Sequence, residues 1–271
     1  MNKLDKYILI FSCCIFEHGW GKSLILDLQR NKIYRVPNDL KIIFESKNKK
    51  ISELLYEYEE DDKETILEYI DFLIKKEIIF LLDTLEELSY FEKINLEWDS
   101  PNQITNAIVE ISESNDQFLE NIVSELENLN CIAIVIIFHK SILINELENF
   151  LYFLNETKIN NLHILVKYNN SFDDVELVKL REKYLRLSEI VLFSATSTRE
   201  LNESQCRIKF IQEKMESCFC KPFKDFCINL PFFTESQQHN TCLNRKICID
   251  VEGNIKNCPN MQENYGNIAD T

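Results

Sequence analysis

The stretch Cys131-Ile-Ala-Ile-Val-Ile-Ile-Phe138 is an unbroken apolar run of strand length, and an amphipathic pattern follows it over residues 142–154. A run with apolar side chains at nearly every position is typical of a strand buried on both faces, as in a parallel sheet flanked by helices. The same strand-then-helix pattern recurs on either side of it: residues 104–111 before 116–129, 162–166 before 175–187, and 190–193 leading into 198–201. With residues 225–230 as a further strand, about five βα units predict an α/β fold whose parallel sheet is covered on both sides. This is enough for an open or partial (β/α) barrel and too little for an eightfold one.

Residues 1–90 predict a separate small α+β domain. Alternating and apolar runs predict three strands, at residues 7–11, 23–28 and 31–36, before Pro37 ends the sheet. Three short helices follow at residues 38–44, 51–58 and 63–76, and residues 78–82 form a last strand or wing. This order resembles the winged-helix-like element with which many ribosomal-peptide maturases capture the leader of a precursor peptide. That resemblance implies a leader that adds as a strand to the sheet edge beside the third helix.

A winged helix that reads DNA is the competing interpretation of this domain, and charge argues against it. The formal net charge is -15 with a pI near 4.8, and residues 57–64 are strongly acidic. A phosphate backbone or an anionic membrane surface would be repelled, whereas a basic partner segment would be attracted. We therefore expect no nucleic acid and no membrane among the partners.

The sequence also predicts the compartment. No signal peptide precedes the first strand, and no apolar run reaches the length of a membrane span. Ten cysteines without an export signal favour the reducing cytosol, where thiols are free or metal-bound more often than bridged. We expect a cytoplasmic protein. Adjacent Cys13 and Cys14 stand at the end of a predicted strand, so one side chain should be buried and the other exposed.

Residues 241–261 predict a β-hairpin. Ile247, Ile249 and Val251 alternate with polar or small residues, and Gly253 lies in a turn sequence before Ile255 resumes the pattern. Folding back brings the residues before and after the hairpin to the same end. Cys242 and Cys258 occupy those two positions, and two thiolates held together are the start of a soft-metal or iron–sulfur site.

At these residues the chain resembles the SPASM domain, the auxiliary iron–sulfur module of radical SAM enzymes that modify peptides. The matching features are Cys242, a spacer of about ten residues, Gly253, four residues and Cys258. More narrowly, residues 233–246, 255–261 and 265–268, with 23–40 near the start, are similar to the SPASM-type peptide maturases of grasp-with-spasm systems. The resemblance implies three domains: leader recognition in 1–90, a partial radical-SAM-like βα domain in 101–232 and the start of a SPASM module in 233–271. It also implies a precursor peptide and an ATP-grasp ligase as partners, and a 4Fe–4S auxiliary cluster.

The ligand set for that cluster is incomplete in this chain. A complete SPASM module continues with closely spaced cysteines beyond the position of Cys258, and this sequence ends at Thr271. Three explanations stay open: a truncated product, ligands supplied from elsewhere, or a vestigial site. Cys218, Cys220 and Cys227 could contribute ligands, and the alternative is that all of these are ordinary reduced cysteines.

Radical SAM enzymes also need a CxxxCxxC loop after the first barrel strand, because three thiolates must hold a cluster with one iron open to SAM. The corresponding residues 111–118 contain no cysteine, and no other stretch has that spacing. We therefore expect no SAM cleavage and predict no catalytic residue. The leading hypothesis is a component that binds the precursor peptide and assists the ligase. The alternatives are an iron–sulfur redox enzyme acting through the SPASM cluster, or an adaptor that binds the ligase only.

Overall fold

The computed structural model describes residues 3–46, 49–203, 206–215 and 228–270. Their contacts group into two compact units, Met1–Trp98 with Lys221–His239 and Asp99–Cys220 with Asn240–Thr271. The predicted α/β class is confirmed, since a large, mostly parallel sheet and two small antiparallel sheets carry the strands. Residues 228–239 group with the first unit, whereas the functional assignments of the ranges 1–90, 101–232 and 233–271 stay predictions.

Within the residues that the structure describes, the first unit contains five strands, three α-helices in its N-terminal part and a fourth near residue 230. The strands are β1 (Tyr7–Ile10), β2 (Cys14–Glu17), β3 (Ser23–Asp27), β4 (Lys32–Val36) and β5 (Ile79–Leu82). The helices are α1 (Lys41–Glu45), α2 (Ile51–Tyr56) and α3 (Glu60–Lys75), and the helix near residue 230, named α7 by its place in the chain, is Leu230–Ser236. Three acidic residues in the first turn of α3 complement the positive end of its dipole.

The N-terminal sheet is built differently from the prediction. The strand at residues 7–10 does not join the strands at 23–27 and 32–36; it pairs antiparallel with β5. Its expected place is taken by β2, which pairs with β3 and which the sequence pattern missed. The prediction that one of Cys13 and Cys14 is exposed is also wrong, because both are buried. Cys13 lies in a turn before β2, where the amide of Cys14 donates to the carbonyl oxygen of Phe11 (2.9 Å), so strand alternation does not apply to the pair.

Both faces of the β2–β4 sheet are covered. One face packs on α1–α3 through fully buried side chains such as Ile25, Ile51 and Ile70. The other packs Leu26 and Leu28 against Phe233 of α7. Helix α7 begins where Asn229 accepts a hydrogen bond from the amide of Phe232 (2.9 Å), with Pro231 in the first turn. Leu230 is therefore helical and not the end of the strand predicted over 225–230, whose first three residues lie outside the described residues.

The second unit alternates strands and helices as predicted as far as residue 193, but the helix expected at residues 198–201 is wrong, because residues 199–203 form a strand that pairs antiparallel with residues 206–210. In chain order these are β6 (Asn106–Ile111), α4 (Leu119–Asn128), β7 (Ala133–Phe138), α5 (Ile144–Asn155), β8 (Asn161–Lys167), α6 (Asp174–Lys183), β9 (Leu187–Phe193), β10 (Arg199–Glu203), β11 (Cys206–Phe210), β12 (Lys246–Ile249) and β13 (Ile255–Lys256). They form one sheet in the order β10-β11-β9-β8-β7-β6-β12-β13. The neighbours from β11 through β9, β8, β7 and β6 to β12 are parallel, and each terminal hairpin is antiparallel.

The expectation that helices cover both faces of this sheet is wrong for the described part of the unit. Helices α4, α5 and α6 all pack their apolar sides on one face, in a single cluster with Ala107, Ile136 and Ile164. The reason is strand order. Strands β6 to β9 follow one another without a reversal, and successive right-handed crossovers in one direction leave every helix on the same side. The other face carries a smaller apolar cluster of Ile137, Leu165 and Phe193.

Among the described residues, no helix combines the length and the apolar character that crossing a bilayer requires.

Candidate functional site

A mostly apolar groove of about 1130 Å³ lies within the first unit. Its walls are β1 with the turn after it, β2, α1 and the segment 88–96. Phe16 of β2 stacks at a tilt on Phe44 of α1, with ring centroids 5.0 Å apart. On the other side, Phe80 contacts both Phe11 (5.0 Å) and Phe91 (4.8 Å), so a row of rings supports the wall.

The charged residues of the groove lie at its surface and balance one another. Lys41 and Lys93 are exposed, as are Glu45 and Glu92. The groove therefore offers apolar contacts with no excess of one sign of charge, although the chain as a whole carries a formal charge of -15.

Strand β2 is an edge strand, and its open edge borders the groove. It pairs only with β3 among the described residues. The amide of Leu28 donates to the carbonyl oxygen of Cys13 (3.0 Å), and in an antiparallel ladder such bonded pairs alternate. Residues 15 and 17 therefore direct their backbone groups to β3, whereas Phe16 directs its N–H and C=O outward. At about 3.3 Å per residue, the four residues of β2 expose an edge roughly 13 Å long.

The predicted hairpin is confirmed as β12 and β13, with Cys248 opposite Lys256 and Ile249 opposite Ile255. Gly253 has φ +82° in the turn, a conformation that glycine adopts without steric cost. Asp250 organises the turn by accepting the amides of Glu252 (3.0 Å) and Asn254 (2.9 Å) and a salt bridge from Lys256 (2.7 Å). Burial alone would raise the pKa of Asp250, but Lys256 and these amide donors outweigh it and hold the pKa below its ordinary value.

Cys242 is exposed and Cys258 is partly buried. Hydrogen bonds connect the chain segments next to these two cysteines. The side-chain amide of Asn257, beside Cys258, donates to the carbonyl oxygens of Leu243 (3.3 Å), beside Cys242, and of Lys246 (2.9 Å). No third cysteine, histidine or acidic side chain within the described ranges completes a compact group with these two thiols. Cys218, Cys220 and Cys227, named above as further candidates, lie outside the described residues. Metal ligation at Cys242 and Cys258 thus stays a prediction.

A third thiol of the hairpin, Cys248, is fully buried on β12. Burial, followed by the nearby charges of Glu110 and Asp250 and by Cys258, raises its pKa to about 12. As a free thiol it is protonated at neutral pH, which suits a core position better than a nucleophile.

The loop after β6, residues 112–115, fastens the hairpin through side-chain hydrogen bonds. Ser112 and Ser114 both donate from Oγ to the carbonyl oxygen of Val251 (2.8 Å each). Asn115, only 2% exposed, donates from Nδ2 to the carbonyl oxygens of Glu110 and Asp250 (2.9 Å each). Its Oδ1 accepts the amide of Ser112 (2.8 Å). The absence of cysteine from residues 111–118 was plain from the sequence, whereas these hydrogen bonds to residues 250 and 251 were not predicted.

The face of the large sheet opposite α4, α5 and α6 carries ionisable groups on neighbouring strands. Glu110 and His139 approach to 3.7 Å, and Glu189 lies 3.5 Å from His163 and 2.7 Å from Lys209. Burial would raise the pKa of Glu189, but the hydrogen bond and charge of Lys209, with His163 and Arg207, outweigh it and lower the pKa. Glu110 Oε1 is buried without a hydrogen-bond partner in the described structure.

Comparison of the chain with models of protein families, with curated proteins and with solved structures found no match.

Proposed function

We propose that the chain is the peptide-binding component of a ribosomal-peptide maturation system in the cytoplasm. Its first unit would capture the leader of a precursor peptide and hold the peptide for an ATP-grasp ligase. The observation that supports this most is the apolar groove along the open edge of β2. An edge strand beside an apolar groove is the arrangement that strand addition uses, because backbone hydrogen bonds supply affinity and pockets supply specificity.

The groove differs in one respect from the arrangement that the resemblance implies. The resemblance places the peptide beside the third helix, whereas this groove runs beside α1 and the segment 88–96. The proposed bound strand therefore lies between β2 and the wall formed by Phe11, Phe80 and Phe91.

For the second unit we propose a partial radical-SAM-like barrel without the SAM cluster, followed by the start of a SPASM module. The one-sided placement of α4–α6 supports the barrel interpretation, because the helices of a (β/α) barrel all lie outside the sheet. In this proposal the winged-helix-like first unit binds the precursor peptide, and the ATP-grasp ligase forms the new covalent bonds in that peptide.

The peptide proposal is tested at Phe16, whose N–H points outward. Binding of fluorescent synthetic peptides that tile the precursor is measured by anisotropy with the full chain. Phe16→Ala removes the ring, and Phe16→Pro also removes the N–H. We expect the proline variant to bind roughly tenfold more weakly than the alanine variant, since one backbone hydrogen bond is lost and the proline ring obstructs the incoming strand.

The matched control is Arg35→Pro on β4. Arg35 is exposed, and the same ladder alternation directs its N–H away from β3, at the opposite edge of the sheet. Its binding should stay within twofold of the unsubstituted chain. Two results would argue against strand addition at β2. One is an equal loss of peptide affinity in Phe16→Pro and Arg35→Pro, and the other is an equal affinity of Phe16→Ala and Phe16→Pro. Substituting other apolar residues of the sheet would not test its open edge. Leu24, Leu26 and Leu28, for example, pack in the cluster under α7.

The alternative function, an iron–sulfur redox enzyme, is favoured by the Asn257 hydrogen bonds that join the segments of Cys242 and Cys258. A 4Fe–4S cluster there would need thiolates beyond these two. Anaerobic reconstitution with iron and sulfide separates the two functions. The enzyme is favoured if the cluster absorption disappears in Cys242→Ser/Cys258→Ser and if the reconstituted protein turns over the precursor when a reductant is supplied.

A further inference from the structure

Two thiols and a carboxylate converge at the corner where β1 passes into β2. Cys13 Sγ, Cys14 Sγ and a carboxylate oxygen of Asp27 all lie within 4.8 Å of one another, and all three residues are buried. It is the one such group of three among the residues that the structure describes. The turn before β2 makes it possible, since adjacent strand residues would point their side chains to opposite faces.

The carboxylate of Asp27 is held in place by its surroundings. Its Oδ1 accepts the backbone amide of Arg30 and its Oδ2 accepts the Arg30 guanidinium, both at 3.0 Å. Arg30 is itself fixed by Glu77, through the carboxylate at 3.2 Å and the carbonyl oxygen at 3.3 Å. Each carboxylate oxygen has a second lone pair, so these bonds leave acceptor capacity for a further ligand. Partners that orient a ligand in this way are a regular feature of metal sites.

We propose that Cys13, Cys14 and Asp27 bind a borderline-soft divalent cation, Zn²⁺ being the best fit. Cysteine sulfur and aspartate oxygen are both zinc ligands, and the fourth position is left to water or to Gln29 Oε1, which lies 3.6 Å from Cys13 Sγ. Two Zn–S bonds of about 2.3 Å at a tetrahedral angle place the sulfurs roughly 3.8 Å apart, within reach of small side-chain rotations here. Zn²⁺ with two thiolates, Asp27 and Arg30 sums to zero charge, so the ion leaves no net charge buried at this corner.

This site is separate from the pair Cys242 and Cys258 and does not depend on the proposed peptide binding. It concerns the first unit alone. Cys14 also lines the groove, so the ion would fix the corner at which the groove begins. The sequence signal was the Cys13-Cys14 pair, and what the sequence lacked was the β2–β3 register that sets Cys14 opposite Asp27.

The test uses the full chain, dialysed against a chelator and titrated with Co²⁺, whose thiolate complexes absorb in the near ultraviolet. We expect one saturable site, lost in Cys14→Ser and retained in Cys131→Ser, a matched buried thiol of the second unit. It should also be retained in Cys242→Ser/Cys258→Ser. Arg30→Gln, at a partly exposed position, removes the guanidinium that orients Asp27 and offsets its charge, and it should weaken Co²⁺ and Zn²⁺ binding roughly tenfold.

Should Cys14→Ser fail to fold, the unsubstituted chain decides through alkylation followed by peptide mapping. Zn²⁺ should slow alkylation of Cys13 and Cys14 at least tenfold relative to chelator and leave Cys131 unchanged. The proposal is overturned by absence of thiolate absorption in the unsubstituted chain, by alkylation rates at Cys13 and Cys14 that ignore Zn²⁺, or by absorption that disappears only in the Cys242/Cys258 variant.

Discussion

Replacing Asn115 by alanine should loosen the β12–β13 hairpin from the rest of the large sheet. The side chain is 2% exposed and satisfies three backbone groups: the carbonyl oxygens of Glu110 and Asp250 and the amide of Ser112. A buried polar group left without its partner costs about 1–3 kcal/mol. Water can enter the space left by the side chain, so we take the low end, about 1 kcal/mol, for each of the three backbone groups. The expected loss of stabilising free energy is therefore about 3 kcal/mol.

The assay is amide hydrogen exchange read by mass spectrometry on peptides covering residues 246–256. A whole-chain unfolding curve is less suitable, because two compact units need not unfold in one transition. A loss of about 3 kcal/mol should speed exchange in these peptides roughly 100-fold.

The control is Asn145→Ala, which removes a single exposed hydrogen bond, from the amide of Glu146 to Asn145 Oδ1 (3.0 Å), at the start of α5. It should leave exchange in residues 246–256 unchanged. If exchange in Asn115→Ala stays within threefold of the unsubstituted chain, Asn115 does not fasten the hairpin and the reasoning is refuted.

Two further changes test the hairpin turn and the charges of the open sheet face. Gly253→Ala should lower the free energy of opening the hairpin by about 1–3 kcal/mol, because φ is +82° and the new Cβ would lie 2.8 Å from Ile268 Cγ1. Hydrogen exchange in residues 246–256 should therefore be faster, and an unchanged exchange rate would contradict this prediction. Burial would raise the pKa of Glu189, but Lys209 and His163 outweigh it and lower the pKa in the folded protein. The ionised Glu189 therefore stabilises the folded state fully above its unfolded pKa of about 4.3, and this stabilisation is lost as the pH falls through the lower folded pKa. Glu189→Gln should therefore lower the midpoint of the thermal transition that belongs to the second unit at pH 7, and the two midpoints should converge in acid. A difference that does not depend on pH would refute the assignment.

From β6 to β9 the strand and helix positions were predictable from the sequence, because these strands are largely apolar runs and α4 and α5 have a regular apolar stripe. Strands β10 and β11 were not predicted, because neither is an apolar run. The helix side was not predictable either. It depends on the order β6-β7-β8-β9, and no residue in these strands records which neighbour lies on which side. The pattern of a strand buried on both faces is the same whether helices or other side chains cover the second face.

The first unit shows a different limit. Cys14-Ile-Phe-Glu17 is only four residues long and follows a turn, and no strand was predicted between residues 11 and 23. Missing it also hid the edge that borders the groove and the pairing of Cys14 with Asp27. The hairpin was predictable because the period-2 pattern and Gly253 both act locally, whereas Asn115 contacts residues far away in sequence.

The most direct test of the central claim is the exchange of single backbone amides at the two edges of the N-terminal sheet, followed by NMR in the full chain with and without the leader peptide. Strand addition at β2 predicts that the outward N–H of Phe16 becomes strongly protected when peptide binds, while the outward N–H of Arg35 does not change. A bound peptide that leaves Phe16 exchanging at its free rate would contradict the account.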